Sequence, residues 1–128
     1  RDILMKQGLT GDEVLGAVTG RQSNDDVTNK ASILAVQSQL EAYKAKKGAY
    51  PSQQELNSPA WRKANMPELA EDKLVPLGSK LKTFADKANK NQFGYIATSC
   101  DDKTKKCQNY ALSALLTTGI PYTRTALN

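Results

Sequence analysis

The side chains best suited to chemistry are Cys100 and Cys107, the only two cysteines of the chain, which bracket the polar run Asp101-Asp102-Lys103-Thr104-Lys105-Lys106. Two cysteines around a short polar loop, in place of a CxxC pair, read as a local disulfide formed in an oxidising compartment. The expected location is therefore extracytoplasmic. Asp101 and Asp102 offer carboxylates to a Ca²⁺ ion, which takes about six to eight oxygen ligands. Their spacing is not that of an EF-hand and three lysines follow at once, so a solvated turn stands beside the calcium reading and no metal or other cofactor is assigned. Histidine is absent, which removes the usual general base, the Ser-His and Cys-His nucleophile pairs and the commonest transition-metal ligand. No Walker loop, GxGxxG, GxSxG or HExxH occurs. The chain does not read as an enzyme.

Eighteen lysines and arginines against 13 aspartates and glutamates give +5, a modest excess that attracts polyanions or acidic surfaces. Arg62, Lys63, Lys73, Lys80, Lys82, Lys87 and Lys90 recur through the middle of the chain, but Glu68, Glu71, Asp72 and Asp86 are interleaved with them. Aromatic residues form no basic stacking array there, so a solvated charged surface is favoured over a nucleic-acid site. At 128 residues, 39% hydrophobic and 24% charged, the chain has material for one compact domain and lies outside the composition of disorder. No apolar run approaches the roughly 20 residues that cross a bilayer. The chain opens on Arg1 rather than Met, which points to processing or truncation of a preceding segment.

The elements that must position these groups follow from spacing. Residues 1–20 are cut by glycines at 8, 11, 16 and 20, with Thr10 and Glu13 suiting a brief capped helix over 11–18. This stretch reads as an N-terminal arm, foreign or disordered, with a docked helix as the alternative; residues 21–128 read as the globular domain. From Asn24, with Asp25 and Asp26 as further cap candidates, no glycine or proline interrupts the chain until Gly48, which predicts a helix of six or seven turns. At about 100° per residue, Ile33, Val36, Leu40 and Tyr43 share one arc suited to covering a sheet. Opposite them Val27, Ala31, Leu34, Ala35, Ser38, Ala42 and Ala45 form a second stripe of mostly small residues. Lys30, Gln37 and Lys44 run down one flank, and Thr28, Gln39 and Lys46 down the other. Small residues let helix axes approach, so this stripe suits packing between molecules; a solvated alanine-rich face is the plainer alternative.

Gly48-Ala49-Tyr50-Pro51 ends the helix after Lys44, Lys46 and Lys47. Between 52 and 91, short helices are expected over 53–57, 67–72 and 79–87, with Leu56, Trp61, Leu69, Leu74, Val75, Leu77, Leu81 and Phe84 folding the segment back onto a sheet. The runs 93–99 and 108–115 predict an antiparallel hairpin whose bases carry the two cysteines, followed by a third strand over 120–125.

The order of these features resembles a known family. A helix ending in Leu40-Glu41-Ala42-Tyr43-Lys44-Ala45-Lys46-Lys47-Gly48-Ala49-Tyr50-Pro51, an irregular segment, then Phe93-Gly94-Tyr95 and Tyr110-Ala111-Leu112-Ser113-Ala114-Leu115-Leu116 is similar to the soluble domain of type IV pilins and type II secretion pseudopilins. In that family a helix of the form LxxYxxxxGxYP leads into a small antiparallel sheet with a Y-x-L-x-A-x-L strand, and the likeness covers about residues 22–118. It implies an α+β, pilin-like fold: a long N-terminal helix packed on a small antiparallel sheet, an irregular connection and a disulfide-closed hairpin. It also implies a structural subunit of a filament at the cell surface or in the envelope. Its partners would be other copies, related pilin subunits, the assembly machinery and, through a missing hydrophobic segment, the membrane. On this reading Val27, Ala31, Leu34, Ala35, Ser38 and Ala42 pack the filament, Ile33, Val36, Leu40 and Tyr43 hold the sheet, and Cys100 with Cys107 locks the hairpin. Residues 1–20 depart from the family's processed start, and the disulfide loop is short. The alternative is a minor pilin or surface module capturing DNA or another polyanion through its lysines, which steep salt dependence would reveal.

Overall fold

Acidic Asp25 and Asp26 in the first turn and basic Lys44, Lys46 and Lys47 in the last complement the helix dipole of α1, which occupies Asn24–Lys47 in the computed structural model. The structure describes residues 24–127, so the expected arm over 1–20 and its helix over 11–18 lie outside the described residues. Gly48 stops α1 by adopting φ +81°, a conformation that burdens other residues, while its N–H donates to the Lys44 carbonyl at 2.7 Å. The chain then reverses beneath the helix.

Ser52 opens α2 (Gln53–Leu56) with a complete capping box, its hydroxyl accepting from Glu55 N–H while the Glu55 carboxylate accepts from Ser52 N–H. A second short helix, α3 (Pro59–Asn65), was not expected; its signal is Ser58 as N-cap followed at once by proline at the first helical position. The helix expected over 67–72 is replaced by a turn and one 3₁₀ turn at Glu71–Lys73. The helix expected over 79–87 is not formed. Its backbone groups find partners across the fold: Phe84 N–H donates to Asn57 Oδ1, Ala85 N–H to the Phe93 carbonyl, and Tyr95 N–H to the Ala85 carbonyl. Tertiary pairing thus overrides helical periodicity.

The sheet has three antiparallel strands in the order β1 (Gly94–Cys100), β2 (Cys107–Leu115) and β3 (Pro121–Thr125). Tyr95 faces Leu112, Ala97 faces Tyr110 and Cys100 faces Cys107 across the first pair, and Ser113 faces Thr123 across the second. Period-two alternation turns Tyr110, Leu112 and Ala114 inward. With Ile33, Val36, Leu40, Tyr50, Leu56, Leu74, Phe84, Phe93 and Tyr95 they make one core between α1, the middle segment and the sheet. Each large side chain in it contributes about 1.5–3 kcal/mol of burial. Leu77 and Leu81, expected to join this core, are 56% and 50% exposed. Gly94 sits where a Cβ would lie 2.6 Å from both Ala88 N and Ser113 Oγ, so the bridge between Ala85 and the first strand requires glycine there.

Candidate functional site

The helix α1 presents two faces of opposite fate. On the inner face Ile33, Val36 and Leu40 are fully buried. Tyr43 lies at the margin, half-buried, with its ring 5.1 Å from that of Trp61. On the outer face Ala31, Ser38, Ala42 and Ala45 are exposed, Ala35 is half-buried, and Val27 and Leu34 are 54% and 44% exposed. The helix thus leaves its small-residue stripe uncovered by the chain's own described residues.

On one flank of that stripe the charged neighbours Lys30, Glu41 and Lys44 are drawn away from it. Lys30 extends over the Tyr122 ring, Nζ 5.2 Å from its centroid, and Lys44 lies 5.6 Å over Tyr50. The Glu41 carboxylate turns inward, accepting from Tyr50 Oη at 2.8 Å, Tyr110 Oη at 2.9 Å and Leu127 N–H at 3.2 Å. The result is a strip of helix surface about 100° wide, from Val27 to Ala45, with no charged side chain of its own.

Four polar residues fix the helix along its length. Asp26 accepts from Thr117 N–H at 3.0 Å and from its hydroxyl at 2.8 Å, and Asn29 Oδ1 accepts from Leu77 N–H at 2.8 Å. Gln37 donates to the Thr125 carbonyl at 2.9 Å and accepts from Arg124 Nε at 3.2 Å. Glu41 makes the fourth tie. Gln37, placed by the sequence on a polar flank between the two faces, is 3% exposed because of this pairing with the end of β3. These ties were missed because polar helix residues usually face water. The usable signal was position for three of them, since Asp26, Asn29 and Gln37 lie on or beside the arc of Ile33, Val36 and Leu40, whereas Glu41 falls next to Leu34 on the wheel and gave no such signal.

Burial and hydrogen bonding also act on the tyrosines. Burial is the main reason that Tyr50, Tyr95 and Tyr110 are held well above the ordinary phenol range. The Glu41 carboxylate adds to this at Tyr50 and Tyr110, and Gln37 acts the other way at Tyr110. Tyr95 Oη donates to the Pro51 carbonyl at 2.6 Å, so the Tyr-Pro turn after α1 is stitched directly to the first strand.

At the far end of the sheet Cys100 and Cys107 are joined in a disulfide. Between them Asp101 Oδ1 accepts from Lys103 N–H at 2.7 Å and Thr104 N–H at 3.0 Å. Those backbone donors hold its carboxyl below the usual aspartate range. Asp101 therefore spends one carboxylate oxygen on its own turn, and Lys103, Lys105 and Lys106 are exposed around it. Among the described residues no group of three or more Cys, Asp or Glu is placed to hold a metal ion. No described helix is long and apolar enough to cross a membrane. The tip is tied back to α1 where Gln108 Nε2 donates to the Gly48 carbonyl at 3.0 Å and Tyr50 N–H to the Cys107 carbonyl at 2.9 Å. Compared with known proteins, the chain matches no family model, no curated protein and no solved structure.

Proposed function

We propose that this chain is a structural subunit of a filament of the type IV pilus or pseudopilus kind, polymerising through α1. The observation that carries the reading is the exposed stripe Val27, Ala31, Leu34, Ser38, Ala42 and Ala45, opposite a face that is buried on the sheet. A helix surface of mostly small, uncharged side chains lets a neighbouring helix approach closely, and van der Waals contact then replaces hydration. Lys30, Lys44 and Glu41, whose charges would resist such an approach, are engaged on the domain's own side. The disulfide hairpin, remote from this stripe along the chain, is a rigid element for an outward surface, which suits an extracytoplasmic protein.

The experiment is electron microscopy of surface filaments from cells expressing the whole gene with Ala31→Glu or Ala42→Glu, beside Thr28→Glu on the flank. Filaments are expected from wild type and Thr28→Glu and not from the two stripe variants, whose purified domains retain native circular dichroism. Absence of wild-type filaments, or normal assembly of both stripe variants, overturns the proposal.

A further inference from the structure

Arg62, on α3, is 6% exposed. Among the described residues its side chain makes one hydrogen bond, from Nη1 to the Leu56 carbonyl at 2.7 Å, which closes the end of α2. A guanidinium carries five N–H donors and stays charged at all accessible pH. Among the described residues it has no carboxylate within ion-pairing distance. Burying a cation with a single neutral acceptor is unfavourable unless an anion completes its shell. Arg62 also lines an open groove of about 540 Å³, formed by α3 and the turn that follows it.

The walls of that groove have a definite chemistry. Pro59, Met66, Pro67 and Leu69 supply an apolar surface, and Lys63 adds a second cation at the rim. Glu71, the one acid among the described residues of the wall, is already paired with Lys82 at 2.8 Å. That pair is the main reason the Glu71 carboxyl sits below its ordinary range, and the charge of Arg62 contributes as well, which puts the guanidinium in electrostatic reach of the groove's acidic edge. Counting Arg62, Lys63 and the neutralised Glu71–Lys82 pair, the groove is net positive. A buried arginine beside an apolar trough calls for an anion carried on an apolar body, and the planar guanidinium suits a carboxylate in particular.

We infer that this groove binds a carboxylate borne on a short apolar group, with Arg62 holding the anion and Met66 and Leu69 covering the apolar part. The inference does not depend on filament assembly, since α3 and the following turn carry none of the stripe residues of α1. Such a ligand has two natural sources, the head of a free acyl chain and the C-terminus of a peptide. The chemistry they share is the proposal.

The test is titration of the 128-residue protein, followed by amide chemical shifts, with octanoate for the acyl source and N-acetyl-leucine for the peptide source. Octanamide, N-acetyl-leucinamide and inorganic phosphate are the controls. Saturable shifts confined to residues 59–71 are expected for at least one carboxylate, with half-saturation on the order of 1 mM for a ligand of this size, and the tighter of the two assigns the source. The neutral amides should bind at least about tenfold more weakly, as expected when a charge-assisted hydrogen bond is lost. Arg62→Gln should abolish the shifts. Because that change also removes the tie to Leu56, Ala60→Trp serves as a second variant: it fills the groove from an exposed position, leaves Arg62 in place, and should weaken binding by a similar factor. Absence of saturable shifts with either carboxylate overturns the inference, as does binding unchanged by Ala60→Trp or phosphate binding as tightly as the better carboxylate.

Discussion

Replacing Glu41 by alanine tests whether the polar ties of α1 stabilise the domain or merely decorate it. Alanine keeps helix propensity, so the loss is that of the carboxylate alone. Two buried phenol hydroxyls then lose the carboxylate they donate to: Tyr110 is 1% exposed and Tyr50 4%. A hydrogen bond to a charged acceptor contributes about 1.5–3 kcal/mol. The two bonds from the phenols, one of them shared between both carboxylate oxygens, together set the expected loss at roughly 2–4 kcal/mol, a fall in Tm of about 10–15 °C for a domain of this size. Urea unfolding followed by Trp61 fluorescence measures it, with the m-value unchanged. The decisive comparison is a double-mutant cycle with Tyr110→Phe. Alone, Tyr110→Phe should cost about 1 kcal/mol; in the Glu41→Ala background it should cost nothing or stabilise, because the hydroxyl it removes no longer has that carboxylate to donate to. A Glu41→Ala loss below about 1 kcal/mol, or the same Tyr110→Phe cost in both backgrounds, refutes the reasoning.

Alkaline unfolding should be steep. Tyr50, Tyr95 and Tyr110 keep their protons to higher pH folded than unfolded, so their contribution is intact below the unfolded value near 10 and is lost as pH rises beyond it. At pH 11 the three together remove about 4 kcal/mol, measurable as a fall in the urea midpoint between pH 9 and 11, and a flat midpoint there contradicts it. Gly94→Ala should cost about 1–3 kcal/mol, since one of its two close contacts is backbone and cannot rotate away. A thermal melt within 2 °C of wild type would show that the bridge to residue 85 yields.

The features legible in the sequence were those with local causes. Cap residues, the absence of breakers and Gly48 marked α1; aromatic and branched runs around a polar loop marked the hairpin, and the same loop marked the disulfide. What could not be read has partners far along the chain. Asn57 takes the N–H of Phe84 through its side chain, and Ala85 pairs with the edge of β1, so the stretch expected as a helix over 79–87 is held open by groups that no periodicity reports. Asp26 reaches residue 117 and Gln37 reaches residue 125. Leu77 is exposed for the same reason, because its backbone is held by Asn29 while its side chain faces out. Of the candidate site, the small-residue stripe was visible as spacing. The inward turn of Lys30, Glu41 and Lys44 was not, because long charged side chains choose their direction by what lies within reach.

The ties at Asp26, Asn29, Gln37 and Glu41 are spaced over four turns of one helix and end on separate parts of the chain. Tension applied along the axis of α1 would load all of them in shear at once, and none could be peeled ahead of the next. The same bonds would offer far less resistance to a force that lifts the helix away from one end. The domain is built with a strong direction and a weak one, and the strong direction is that of the helix itself.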